Sequence, residues 1–167
     1  LDAVELVPFR KAIEAGVDSV MVAHLTVPAL EPDPERIATT STAVVTRLLR
    51  GELGFRGVVV TDAMDMTALT RLFPAEPGNN ASGRAAVEAV KAGNDMILLP
   101  ADLDASFSAL VAAVQGGEIS EERIDLSVRR ILRLKASVAR NKARLVDIGA
   151  LSSIIARPEN LAAAREV

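Results

Sequence analysis

Three short apolar runs constrain this chain more than any other feature: DSVMVAHL at 18–25, GVVVT at 57–61 and DMILL at 95–99. None alternates apolar with polar residues, the pattern of a strand with one wet face, so they read as strands buried on both sides. Amphipathic stretches separate them. One helix is predicted over about Val4 to Ala15, closed by Gly16. A second runs from Ser41 or Thr42 through Glu52, with Val44, Val45, Leu48 and Leu49 on its apolar face. A third is opened by Ser82 and ended by Gly93, a fourth covers 103–115, and a fifth starts at Ser120 in SEERIDLSVRRILRLKASVARN. Between the third helix and the second strand, FPAEPGNN reads as a long loop. Strand and helix in alternation specify an α/β fold, a parallel sheet covered by helices.

Composition narrows the rest. Half of the 167 residues are hydrophobic, yet the chain has four Phe and no Trp or Tyr, so its core is layered from Ala, Val, Leu and Ile. A net charge of -3, from 19 basic and 22 acidic residues, offers no electrostatic footprint for nucleic acid and no polybasic patch for a membrane. Without cysteine there is no disulfide, no thiolate nucleophile and no cysteine-bound zinc. No run approaches the roughly 18 apolar residues of a membrane span. The opening LDAVELVPFRKAIEAG is not a signal peptide and reads as mid-structure, which leaves the compartment open. Three strands are few for a doubly wound sheet and too few for a closed barrel, so either the sheet is small or the chain is a piece of something larger.

In parallel α/β folds, ligands sit beyond the carboxyl ends of the strands. The first run ends in His24, the second in Asp62, the third in LLPADLD with Asp102 and Asp104. Asp62 has two readings: a helix cap or loop carboxylate, and a catalytic carboxylate held on a rigid stem. His24 is the only histidine, which argues against a Ser-His-Asp triad and against a multi-histidine metal site. It is read either as a partly buried, loop-bonded histidine or as a pocket-lining group that contacts substrate or orients Asp62. Met64 and Met66 fit packing, Asp65 fits capping of the loop, and Asp102 and Asp104 fit the start of the next helix. RRILRLK at 129–135 reads as the solvated face of an amphipathic helix, and no glycine-rich phosphate loop is present. No metal or cofactor is expected.

VMVAHLTVPAL, LLRGELGFRGVVVTDAMDM, AVEAVKAGNDMILLP and ISEERIDLSVRRILRLK, in that order, resemble the catalytic domain of family 3 glycoside hydrolases, especially its β-N-acetylhexosaminidase-like branch. The resemblance implies that Asp62 is the nucleophile of a retaining β-glycosidase, which forms a covalent glycosyl-aspartate that water then cleaves. It implies a terminal β-linked sugar as substrate; His24 and Met64 are the candidate substrate-binding residues beside Asp62. N-acetylglucosamine is favoured over glucose because Ala63 stands where the glucosidase branch commonly has Trp. It further implies that the chain is the C-terminal part, about three βα units, of a TIM-type β/α barrel over 1–141, with 142–167 a helical exit toward a linker or second domain.

The branch's Lys-His, Gly-His-Gly and Asp-x-His motifs, the last of which carries the acid/base histidine, are missing from these 167 residues. The chain is therefore expected to be inactive alone and to self-associate or pair with the missing barrel half. Two alternatives stand beside this: a receiver-like signalling domain phosphorylated on Asp62, and a non-catalytic partner that completes a barrel.

Overall fold

In the computed structural model, the described residues are 3–66, 69, 72–73, 80–138, 147–155 and 157–166. The three apolar runs form a parallel sheet in the order β1 (Ser19–Val22), β2 (Val58–Ala63), β3 (Met96–Leu98). Ser19 lies opposite Val58 and Val22 opposite Thr61, while Val60 lies opposite Met96. The parallel order has the usual cause: each strand is followed by a helix that returns the chain to the sheet's starting edge. These helices are α1 (Val7–Glu14) before β1, α2 (Ala43–Glu52), α3 (Ala81–Ala92), α4 (Leu103–Gln115) and α5 (Glu121–Val138).

Several local features differ from the sequence reading. The cap of α3 is Asn80, whose side chain accepts from the Ser82 and Gly83 amides, rather than Ser82. The Ser82 hydroxyl instead bonds Ser106 and the backbone of Asp102, tying α3 to the start of α4. Asp102 caps α4 as expected, accepting from the Ala105 amide. Helix α2 is wound as a π-helix rather than an α-helix. Its Val45 and Thr46 press on Gly93, where a Cβ would lie 2.6 Å from the Thr46 hydroxyl and where φ is +123°. Only glycine suits that position. Most of FPAEPGNN, and the end of the fifth predicted helix beyond Val138, lie outside the described residues.

The sheet is covered on one face. Val59 and Thr61 are fully buried toward the helices, Val59 in one core cluster with Val45, Leu49, Phe55 and Ala92. The other face carries the buried Val58 near the amino end of β2, and Met21, Met96 and Leu98, which are 58, 40 and 38% exposed. Apolar residues on both sides predict burial on both sides, which holds at the start of β2, where Val58 and Val59 are both buried, but on the outer strands leaves Met21, Met96 and Leu98 exposed.

At the amino end of the sheet, the side chain of Asp95 is fully buried and collects the elements around it. One carboxylate oxygen accepts from Arg50 of α2 at 2.5 Å and from the Val59 amide of β2 at 3.0 Å. The other accepts from Ser127 at 2.7 Å and Arg130 at 2.9 Å, both on α5, with Arg123 3.6 Å away. Arg130 was expected on a solvated helix face. The helix turns it inward, because a buried carboxylate is tolerable only when charges and donors surround it. Arg129, by contrast, lies on the exposed side and pairs with Asp125.

A second compact unit spans Lys135–Val167. It contains a 3-10 turn at Ile148–Ala150 whose first residue is preceded by the capping Asp147, a short helix α6 (Leu151–Ile154) and α7 (Pro158–Arg165).

Burial pushes the Asp95 carboxyl up, but the Val59 amide, the Ser127 hydroxyl and the charges of Arg50 and Arg130 outweigh it and hold the group below the usual carboxylate range. A depressed folded-state value means stability that is complete above the unfolded value of about 3.9 and is lost as pH falls through the lower folded one. Asp95→Asn is expected to cost about 3–5 kcal/mol at neutral pH, since it leaves buried guanidinium groups without a counter-charge. Urea unfolding followed by circular dichroism should show that loss, and should show the variant losing less stability than the parent on acidification below about pH 4.

Candidate active site

The site is built on an irregularity at the carboxyl end of β2. Val60 pairs with Met96 and Ala63 with Leu98, so β2 advances three residues where β3 advances two. This is a β-bulge, which adds one residue and re-aims the side chains after it. The Thr61 hydroxyl accepts the Leu98 amide at 3.0 Å, filling the place of a ladder carbonyl, and the Met64 amide returns to the Leu98 carbonyl at 2.9 Å. Before the bulge, odd-numbered Val59 and Thr61 face the helices. After it, even-numbered Met64 does so, packed among Ile37, Leu69, Ala85 and Ala89. On β3 the adjoining Leu99 holds φ at +44°, an uncommon conformation for a residue with a branched side chain.

Asp62 sits at the bend, half-buried, with one carboxylate oxygen accepting the Ala63 amide at 2.8 Å. Among the described residues no cation pairs with it. His24, from the loop after β1, reaches across to the same residue. Its Nε2 lies 3.0 Å from the Ala63 carbonyl and its Nδ1 lies 2.7 Å from the Thr39 hydroxyl. A carbonyl only accepts, so Nε2 carries a proton in this arrangement. Thr39 belongs to a buried 3-10 turn, Ala38–Thr40, whose hydroxyl also lies 3.1 Å from the Ala23 carbonyl.

The structure thus brings His24 and Asp62 together through Ala63, and turns the Met64 side chain into the core, where it is 4% exposed. Asp65 is exposed, and the loop it was expected to cap continues outside the described residues. The cleft walled by Arg36, Arg84, Ser108 and Gly116 includes neither Asp62 nor His24. Sequence reading missed Thr39, which carries no motif, and the bulge, whose one signal is a hydroxyl residue placed directly before the carboxylate.

Residues 1–134 match the family model for the glycosyl hydrolase family 3 N terminal domain. The chain belongs to glycoside hydrolase family 3. A beta-N-acetylglucosaminidase/beta-glucosidase of Cellulomonas fimi is 35% identical over 169 residues, covering 96% of this chain and 29% of that protein. Beta-hexosaminidase A of Pseudoalteromonas piscicida is 32% identical over 84% of this chain and 26% of its own length. Among solved structures, the family 3 beta-N-acetylglucosaminidase from Paenibacillus sp. str. FPU-7 superposes with a TM-score of 0.78 at 47% identity, over 88% of this chain and 27% of that one. The chain therefore spans between a quarter and a third of the length of these relatives. Membership in a glycosidase family replaces the receiver-like alternative.

Thr61→Val keeps the shape of the side chain but removes the acceptor for the Leu98 amide. A buried donor left without a partner costs about 1–3 kcal/mol. Hydrogen exchange should therefore show the Leu98 amide losing protection in Thr61→Val and regaining it in Thr61→Ser.

Proposed function

We propose that this chain carries the nucleophile of a retaining β-glycosidase, with a terminal β-linked N-acetylglucosamine as the favoured sugar. The reading rests above all on one observation: the Asp62 carboxylate stands at the carboxyl end of a parallel strand, half-buried, fixed by the Ala63 amide and unpaired with any cation among the described residues. One oxygen is held and the other is left for chemistry. Attack of that oxygen on the anomeric carbon breaks the glycosidic bond, forming a glycosyl-aspartate while an acid protonates the leaving oxygen. Water, deprotonated by the same acid/base group, then attacks the anomeric carbon and releases the carboxylate with the β-configuration retained.

Both nitrogens of His24 are engaged by protein groups, so it is not assigned the acid/base role. We place the His24 ring edge beside the sugar and read Met64, buried in the core, as support beneath the floor rather than as a group that touches substrate. Ala63 leaves room above them. The three βα units are read as the C-terminal part of a TIM-type barrel over 1–141, with 142–167 as its exit. On that reading the exposed Met21, Met96 and Leu98 face the barrel interior.

In a barrel completed with the upstream half, Asp62→Asn is expected to lose at least about three orders of magnitude in turnover, on the scale of removing a key catalytic group. Asp65→Asn should lose far less. Hydrolysis of a chromogenic β-N-acetylglucosaminide measures both, and near-normal turnover in Asp62→Asn, or an inverted product, overturns the assignment.

The 167 residues alone are expected to self-associate through the uncovered sheet face and to show no turnover. A few hundred Å² of apolar surface left in water forfeits several kcal/mol at about 25 cal/mol per Å². Analytical ultracentrifugation with the same chromogenic assay checks this, and a compact, stable, active monomer would contradict it.

A further inference from the structure

We propose that the buried hydroxyl of Thr39 is a positioning group for the Asp62 carboxylate, acting through the His24 ring and the Ala63 backbone; this rests on the reading of Asp62 as nucleophile. The connection is continuous in hydrogen bonds: Thr39 Oγ1 to His24 Nδ1 at 2.7 Å, His24 Nε2 to the Ala63 carbonyl at 3.0 Å, and the Ala63 amide to Asp62 at 2.8 Å. The next amide, Met64, is fixed to the Leu98 carbonyl on the far side. The peptide group between Ala63 and Met64 is therefore tied at both ends, its carbonyl by the loop after β1 and its amide by β3, while the Ala63 amide on the preceding peptide holds Asp62. Releasing the His24 arm frees Ala63 to shift, and the Asp62 oxygen it holds shifts with it. A displacement on the order of 1 Å at a reacting group costs about a hundredfold in rate.

Thr39 suits this role because it is itself immobilised. It is 0% exposed, and its carbonyl accepts from Asn94, a fully buried side chain that also donates to the Ala89 carbonyl of α3. Its hydroxyl has a choice of partners. With the ring neutral and Nε2 protonated, Nδ1 is bare and the hydroxyl donates to it. With the ring doubly protonated, the hydroxyl accepts from Nδ1 and turns its own proton to the Ala23 carbonyl, 3.1 Å away. In both states the ring stays in one place, so the strut under Ala63 is kept. A valine at 39 would fill the same volume and offer neither bond.

His24 is the only histidine in the chain, so its ring nitrogens give unambiguous nitrogen-15 signals in the full 167 residues, without any requirement for activity. The parent is expected to show the Nε2-protonated tautomer with a hydrogen-bonded Nδ1. Thr39→Val should lose the Nδ1 hydrogen-bond signature and speed exchange of the Ala63 amide about tenfold, the scale of one net hydrogen bond. Thr39→Ser should restore both, and Thr39→Ala serves in place of Thr39→Val if the latter does not fold. In the completed barrel, Thr39→Val should lower kcat about tenfold or more with KM little changed, and Thr39→Ser should recover it.

Unchanged ring signals and Ala63 exchange in Thr39→Val overturn the proposal, as does normal kcat despite altered signals. Turnover that survives Asp62→Asn is a separate failure: it removes the nucleophile reading and the proposal with it, while the nitrogen-15 result still reports on the strut.

Discussion

A single carboxylate, that of Asp95, joins most of the elements on which this structure depends. A charge removed from water is costly by many kcal/mol unless partners replace its hydration, and here they come from separate parts of the chain. Arg50 arrives from α2, the Val59 amide from β2, and Ser127 and Arg130 from α5, while Arg123 of α5 also donates to the Asn94 carbonyl. The geometry that satisfies Asp95 sets how helix and strand approach at the amino end of the sheet. Arg50 adds to this by donating to the carbonyls of Gly57 and Gly93, which flank the entries to β2 and β3.

The carboxyl end of the same strands is organised by different means. There the bonds join the Thr61 hydroxyl, the Leu98 backbone, the His24 ring and the Ala63 peptide. Among the described residues no cation pairs with Asp62 at this end. On the proposed reading of Asp62 as nucleophile the division has a physical logic, because a cation beside it would stabilise the free carboxylate and weaken its attack. Asn94 connects the two ends. It adjoins Asp95 in sequence, and its side chain supports the backbone of Thr39, which holds His24.

Much of the fold was legible in the residues. The three apolar runs became three parallel strands in sequence order, and Asp102 capped α4 as its position suggested. The position of Asp62 at a strand end was also legible, since a polar residue after four small or β-branched ones marks where burial stops. Less legible was anything decided by a partner distant in sequence. Arg130 and Arg129 are adjacent and chemically identical, yet one is buried against Asp95 and the other pairs with Asp125 in solvent. Helical periodicity assigns the pair to a helix without saying which of them meets a carboxylate 35 residues earlier. Similarly, Ser82 and Asn80 are both good caps, and the competing bonds from Ser82 to Ser106 and Asp102 decide between them.

By itself the sequence determined the α/β class, the parallel sheet, the spans of the first four helices to within a few residues, and a carboxylate at a strand end, because these follow from local periodicity and from which residues tolerate burial. The tertiary structure decided the bulge in β2, the clamp on Ala63, the inward turn of Arg130 and the role of Thr39. Each of these depends on hydrogen bonds between residues 15 to 39 positions apart. Local pattern has no means of carrying such pairings, since a threonine that packs and a threonine that holds an imidazole have the same polarity, volume and propensity until the chain folds.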